Sequence, residues 1–137
     1  LLSDEIAFVE DYLGVARERY DNPLTFEYVG PPELLSTAVP PLMLQPLVEN
    51  SLKHGCVPGE GALHMTLEAR AESGWLTLVF RDDGVPGMNG HGLGTGLQNL
   101  EQRVRRFGGA GAGLSAGRKE RGFAVTLTWR ASGRAAA

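Results

Sequence analysis

The sequence predicts an α/β two-layer sandwich, a mainly antiparallel mixed sheet with helices on one face. Three observations carry that expectation. Three segments repeat apolar residues at helical spacing, and four others alternate or run apolar with β-branched and aromatic residues, as strands do. The two kinds interleave, and no repeat divides them. Third, at 137 residues with 42% hydrophobic and 21% charged composition, the chain suits one core and one domain.

Ser3, Asp4 and Glu5 read as a helix start, with a capping hydroxyl and acids near the positive end of the dipole. Ile6, Val9, Leu13, Ala16 and Tyr20 continue at helical spacing until Asn22-Pro23 breaks the pattern. Residues 24–29 (LTFEYV) read as a strand ended by Gly30-Pro31-Pro32. A second helix is expected from about Pro40-Pro41, with proline in the first turn. It sets Leu44, Leu47, Val48 and Leu52 on one side and stops at Gly55.

Residues 63–71 (LHMTLEARA) alternate, Glu72-Ser73-Gly74 makes a turn, and 75–80 (WLTLVF) follow as a more buried strand. A third helix over about 97–107 carries Leu97, Leu100, Val104 and Phe107 on one face and ends at Gly108-Gly109. Residues 110–117 read as a Gly/Ala loop, 123–129 (FAVTLTW) as the last strand, and Arg130 onward as a frayed tail.

Several function classes are excluded at this level. A net charge of −3 gives no basic footprint for nucleic acid, so no direct nucleic-acid contact is expected. No apolar run approaches the roughly 18 residues of a membrane span, and no signal-peptide pattern is present. Cys56 is the single cysteine and cannot form an internal disulfide, so a reducing, intracellular setting is expected.

Glycine is the abnormal component: 19 of 137 residues, against a usual share of roughly 7%. Twelve of the nineteen lie between Gly84 and Gly122, and six fall in the thirteen residues from Gly84 to Gly96. Where Gly92, Gly94 and Gly96 lead into a helix, missing Cβ atoms let backbone amides approach a polyphosphate, and the helix N-terminus adds positive potential. The spacing is neither the Walker pattern nor the dinucleotide fingerprint. A lid without a ligand would have the same composition.

Two more segments carry polar chemistry. On the helix ending at Gly55, Asn50, Lys53 and His54 share a face turned away from Leu44, Val48 and Leu52. An amide oxygen, an ammonium and an imidazole on one stripe suit a metal ion and phosphates. The same stripe also suits a plain solvated face with a Glu49–Lys53 pair. In VFRDDGVPG (79–87) a strand runs into Asp-Asp-Gly, which places a carboxylate at a sheet end. A buried carboxylate there can accept from an exocyclic amine such as that of adenine, although Asp-Gly is also an ordinary turn signal.

Taken together, the three segments resemble the Bergerat-type ATP-binding fold of the GHKL superfamily, and within it LytS-type sensor histidine kinases. LQPLVENSLKHG (44–55) is similar to that family's N box, and GLGTGLQNLEQRV (92–104) to its second glycine box and following helix. DEIAFVEDYLGVARERY (4–20) resembles the helix that joins the phosphoacceptor region to the ATPase domain. The resemblance implies a protein histidine kinase catalytic domain, a transferase of two-component signal transduction with ATP and Mg²⁺ as its cofactors. Asn50 would be the Mg²⁺ ligand, and Lys53 and His54 would approach the phosphates. Asp82 would accept from the adenine amine, with Gly84 letting the base sit against the turn. Gly87 would complete the first glycine box, Gly92, Gly94 and Gly96 would form the lid, and Leu97 and Asn99 would begin the helix beneath.

The pattern departs from the family at two points. Pro86 stands where the second glycine of Asp-x-Gly-x-Gly belongs, with Gly87 one place late, and Phe123 stands where a small or hydroxylated residue is common near the base. Hydrolytic members carry a glutamate four residues before the asparagine. Here that position is Pro46, which cannot be a base. His54, His64 and His91 do not lie in a phosphoacceptor motif, so the acceptor histidine is expected outside this chain, and autophosphorylation of the chain alone is not expected.

The implied division is residues 1–22 as the end of the linking helix, 23–130 as the ATP-binding domain and 131–137 as a tail. The implied partners are the upstream dimerisation and phosphoacceptor helices, a homodimeric full-length protein and a response regulator of the LytTR type. The implied location is the cytoplasmic part of a membrane-anchored sensor. A degenerate nucleotide-binding or protein-interaction module, distorted at Pro86, is the alternative.

Overall fold

The computed structural model describes residues 1–57, 59, 61–84, 95–118 and 122–131. The elements run α1 (Leu2–Ala16), β1 (Leu24–Val29), a short 3₁₀ helix (Pro32–Ser36), α2 (Leu44–Gly55), β2 (Leu63–Glu72), β3 (Trp75–Asp82), α3 (Thr95–Gly108), β4 (Gly113–Arg118) and β5 (Phe123–Arg130). The five strands form one mixed sheet in the order β1-β2-β3-β5-β4. β1 pairs parallel with β2, and the other pairings are antiparallel. This is the expected two-layer sandwich.

Alternation decides which sheet face is covered. Leu76, Leu78, Phe80 and Asp82 of β3 are buried, as are Val125, Leu127 and Trp129 of β5. Against them pack Leu13 of α1, Leu47 and Val48 of α2, and Leu100 and Val104 of α3, in one contiguous core. Truncating any one of these leucines to alanine would cost about 2–5 kcal/mol, through lost transfer energy and the cavity left behind. No described helix is long and apolar enough to cross a membrane.

The turn between β2 and β3 takes the form that strand twist favours. Ser73 and Gly74 have φ of 53° and 84°, so both central residues are left-handed, as a two-residue hairpin requires. Several expectations need correction. α1 begins at Leu2 with Leu1 as its N-cap residue, so Ser3 lies inside the helix. Its α-helical part stops at Ala16, short of Tyr20.

α2 begins at Leu44, not at the prolines; Pro41 and Leu42, the latter with φ 56°, form a turn before it. Pro46 is the third residue of α2, where a missing amide hydrogen breaks no helical bond. Residues 113–118 are the edge strand β4, not a loop, paired from Gly113↔Thr128 to Arg118↔Phe123. Arg130 is the last residue of β5, and its guanidinium lies 5.1 Å from the centre of the Trp75 ring. The tail from 132 lies outside the described residues. Phe107 is 44% exposed, not buried, and meets Trp129 edge-on at 5.7 Å between ring centroids.

The start of α2 is held from two other helices. The Glu5 carboxylate of α1 accepts from the amides of Leu42 (3.0 Å), Met43 (2.6 Å) and Leu44 (3.1 Å). These are donors a helix start leaves without intrahelical partners. Arg103 of α3 donates to the carbonyls of Pro41 and Leu42. Arg103 is therefore a tether between α3 and the α2 entry. Arg105 instead pairs with Glu101, four residues before it on α3.

Candidate functional site

Three chain points converge at one end of the sheet: the end of α2 at Gly55, the end of β3 at Asp82, and the β4–β5 connection at Gly122. Their contact is backbone to backbone. A Cβ on Gly84 would lie 2.5 Å from the Gly55 carbonyl oxygen and 2.6 Å from its Cα. Gly122 has φ 83°, and a Cβ there would lie 1.8 Å from the Asp82 carbonyl oxygen. No side chain fits at either place, so glycine is required by packing at Gly84 and by both packing and conformation at Gly122.

Asp82 sits in the middle, 8% exposed. Ser51 of α2 donates its hydroxyl to Asp82 Oδ2 at 2.6 Å, and the Gly84 amide donates to Oδ1 at 3.0 Å. Burial is the largest influence and raises the Asp82 pKa above its ordinary value. The bonds from Ser51 and Gly84 pull it down, the neighbouring Asp83 pushes it up, and the Phe123 amide lowers it again. A carboxylate has about four lone-pair positions. The two donors, one on each oxygen, therefore leave room for more.

Alternation separates the two adjacent aspartates. Asp82 points inward, while Asp83 Oδ1 accepts from the His64 amide at 2.7 Å and the Asp83 amide donates to the His64 carbonyl at 3.1 Å. Asp83 thus pins β3 to β2. The Asp-Asp-Gly segment is not a two-residue hairpin, because β3 pairs with β2 and β5 on either side and the chain continues to α3.

On α2, Leu44, Leu47, Val48, Ser51 and Leu52 are buried, Asn50 is half-buried, and Lys53 and His54 are exposed. The polar stripe is real. Glu49 is not part of a Glu49–Lys53 pair among the described ion pairs; its carboxylate accepts from the Gln45 amide at 2.9 Å. No group of three or more His, Cys, Asp or Glu able to hold a metal occurs among the described residues.

No family model matches the chain. The chain is 35% identical over 111 residues to the sensor histidine kinase BtsS of Escherichia coli K12, covering 78% of this chain and 19% of that protein. It is 25% identical over 138 residues to the sensor protein LytS of Staphylococcus epidermidis, covering 91% of this chain and 23% of that protein. It therefore spans about a fifth of the length of these relatives. Among solved structures, the catalytic domain of histidine kinase ThkA superposes with a TM-score of 0.64 at 12% identity, covering 95% of this chain and 92% of that one. The chain is a sensor-histidine-kinase catalytic domain of the GHKL type.

In this kinase domain the structure brings Asp82 and Gly84 together with the end of the helix that carries Asn50, Lys53 and His54. Leu97 is buried in the core and anchors α3, whereas Gly96 is exposed in its first turn. Gly87, Gly92 and Gly94 lie outside the described residues, as do Pro86 and His91. His64 is exposed on β2, hydrogen-bonded to the Thr25 hydroxyl across the β1–β2 pair.

Two participants were not singled out from sequence, Ser51 and Gly122, and Gly55 was read only as a helix stop. Gly122, the last glycine before a strand, carried a weak local signal, since isolated glycines often mark close backbone approach.

Proposed function

We propose that this domain binds Mg·ATP and presents the γ-phosphate to a phosphoacceptor histidine located outside the chain. The observation that carries the reading is the buried Asp82 carboxylate, held by Ser51 and Gly84 where Gly55, Gly84 and Gly122 meet, with lone pairs left for a further donor. An adenine amine supplies one such donor. The glycine contacts at Gly84 and Gly122 keep side chains away from the carboxylate, as close approach of a flat base requires.

The residues present also fit the remaining parts. Asn50 offers one amide oxygen to Mg²⁺, which usually takes one or two protein ligands, completing its shell with waters and phosphate oxygens. Lys53 and His54 supply cationic and hydrogen-bonding groups, one helical turn beyond Asn50, for the phosphates. Gly92, Gly94 and Gly96 would form the lid over them, Gly84 would let the base sit against the turn, Gly87 would complete the first glycine box, and Leu97 would begin the helix beneath. Bound Mg²⁺ neutralises charge on the transferring phosphoryl group, so the chain's own task is positioning. Pro46 stands where a water-activating glutamate would be needed, which favours transfer to histidine over hydrolysis.

In the whole protein, residues 1–22 would continue into dimerisation helices bearing the acceptor histidine, 23–130 would be the catalytic unit, and 131–137 a tail. The likeness to LytS supports a LytS-type kinase, acting as a homodimer on the cytoplasmic side of a membrane-anchored sensor. Its phosphoryl group would pass to a response regulator with a LytTR-type output.

The test joins this domain to the upstream histidine segment and follows phosphate incorporation from labelled ATP. Asn50→Ala should abolish incorporation. Undiminished incorporation in that variant would refute the assignment, and a folded wild type that incorporates nothing would favour a degenerate module.

A further inference from the structure

We propose that Glu5 and Arg103 are positioning residues for phosphoryl transfer: reaching in from α1 and α3, they hold the entry turn of α2 in a conformation its own sequence disfavours, and so set where Asn50 stands. The inference rests on the Mg·ATP reading above and names what fixes its phosphate-facing helix.

The turn is strained. Leu42 has φ 56°, in the left-handed region, and is 51% exposed. For a leucine that region is disfavoured by a factor of about 5–30 in population. A side chain so exposed recovers little of this by burial. The compensation comes from outside the turn. The Glu5 carboxylate accepts from the amides of Leu42, Met43 and Leu44, and the Arg103 guanidinium donates to the carbonyls of Pro41 and Leu42. Leu42 is thus gripped at its amide by α1 and at its carbonyl by α3. Bonds to charged groups are about twice as strong as neutral ones, and together they select one backbone state.

The far end of α2 is fixed independently. Ser51 is bonded to Asp82, and Gly55 lies against Gly84 with no room for a side chain. In the connection that follows, Asn22 donates to the carbonyls of Val57 (2.9 Å) and Gly61 (2.8 Å). α2 has 12 residues, about 18 Å at 1.5 Å each, so it turns as a rod about that end when its entry moves. Asp82 lies at the pivot and keeps its place; Asn50 lies on the free side of it. The grip on Leu42 also fixes α3, whose start follows the glycine segment, against α2. The two helices flanking the phosphates are therefore held at one point. Transfer is sensitive to such placement, since a misplacement of about 1 Å can cost about a hundredfold in rate.

The experiment follows phosphate incorporation from labelled ATP at saturating Mg·ATP in the domain joined to the upstream histidine segment, with ATP titration by calorimetry and a thermal melt for each variant. Glu5→Ala should lower the saturated rate about tenfold while ATP affinity changes by less than about threefold, because the base site sits at the pivot. Arg103→Met, which keeps the stem without the donors, should act in the same direction, and Glu5→Gln, which keeps one acceptor oxygen, should fall between. The latter two carry the test should Glu5→Ala fail to fold. The deciding variant is Leu42→Gly placed in the Glu5→Ala background. Glycine takes φ 56° without steric penalty, so the double variant should regain most of the lost rate even where its melting temperature stays below wild type.

An unchanged rate in folded Glu5→Ala, a loss of affinity equal to the loss of rate, or no recovery in the double variant overturns the proposal and leaves ATP binding intact. A folded wild type that binds no ATP overturns the ATP-binding reading itself and this proposal with it.

Discussion

Asp82 brings a carboxylate into a site only 8% exposed, and burial raises its pKa above 3.8 before the bonds from Ser51 and Gly84 pull it partly back. The consequence for stability has a definite sign. The folded chain holds this proton more tightly than the unfolded chain, so the stabilising contribution is complete below the unfolded pKa and is lost as pH rises through the folded one. At neutral pH the ionised group is a cost carried for function. Binding has the opposite dependence, because the ionised form accepts from an amine more strongly than the protonated one. ATP affinity should therefore fall on acidification at a pH above the ordinary aspartate range, and an Asp82→Asn variant should lack that acid limb. The same variant should lose about 1.5–3 kcal/mol of binding, roughly 10- to 100-fold in affinity by calorimetry, with its melting temperature equal to or above that of wild type. The Asp-Asp-Gly run after a strand made Asp82 and Gly84 visible in the sequence. Ser51 and Gly122 were not visible as partners of Asp82, because those contacts join residues that only the sheet and its covering helix bring together.

The elements owe their positions to contacts made between helices as much as within them. Glu5 gathers three amides at the start of α2, and Arg103 grips two carbonyls of the same turn. Glu5→Ala should lower unfolding free energy by about 1–2 kcal/mol, the cost of a lost cap strengthened by charge, read from urea unfolding at unchanged m-value. Gly84→Ala should do more harm than its size suggests. The new Cβ meets the Gly55 backbone at 2.5 Å, so the Asp82 loop must move, and ATP binding should be lost even if the fold survives. Three helices and four strands were legible because their apolar periods are strong. β4 was not: GLSAGR has two glycines and little β propensity, and its pairing with β5, not its own composition, makes it a strand. The start of α2 was misplaced for a similar reason. Proline suits a first turn, but here Glu5 and Arg103 fix the entry from outside, and Pro40-Pro41 fall before it.

For the whole molecule, the two-layer arrangement puts the ends of β3 and α2 and the β4–β5 connection at one edge, with the helix layer closing one side of the site. The fold class was readable from composition and period, whereas the strand order β1-β2-β3-β5-β4 and the parallel β1–β2 pair were not, since both depend on which distant strands meet. The candidate site was readable mainly as a set of three segments, any one of which had an ordinary structural explanation. What joins them is the Asp82 carboxylate, tied to the asparagine-bearing helix by Ser51 and to the glycine segment by Gly84. The most direct test of that union is calorimetric titration of the domain with ATP, with and without Mg²⁺, and with GTP for comparison. The account predicts saturable binding of ATP that weakens when Mg²⁺ is chelated and exceeds binding of GTP. A folded domain that binds ATP no better than GTP, or not at all, would contradict it.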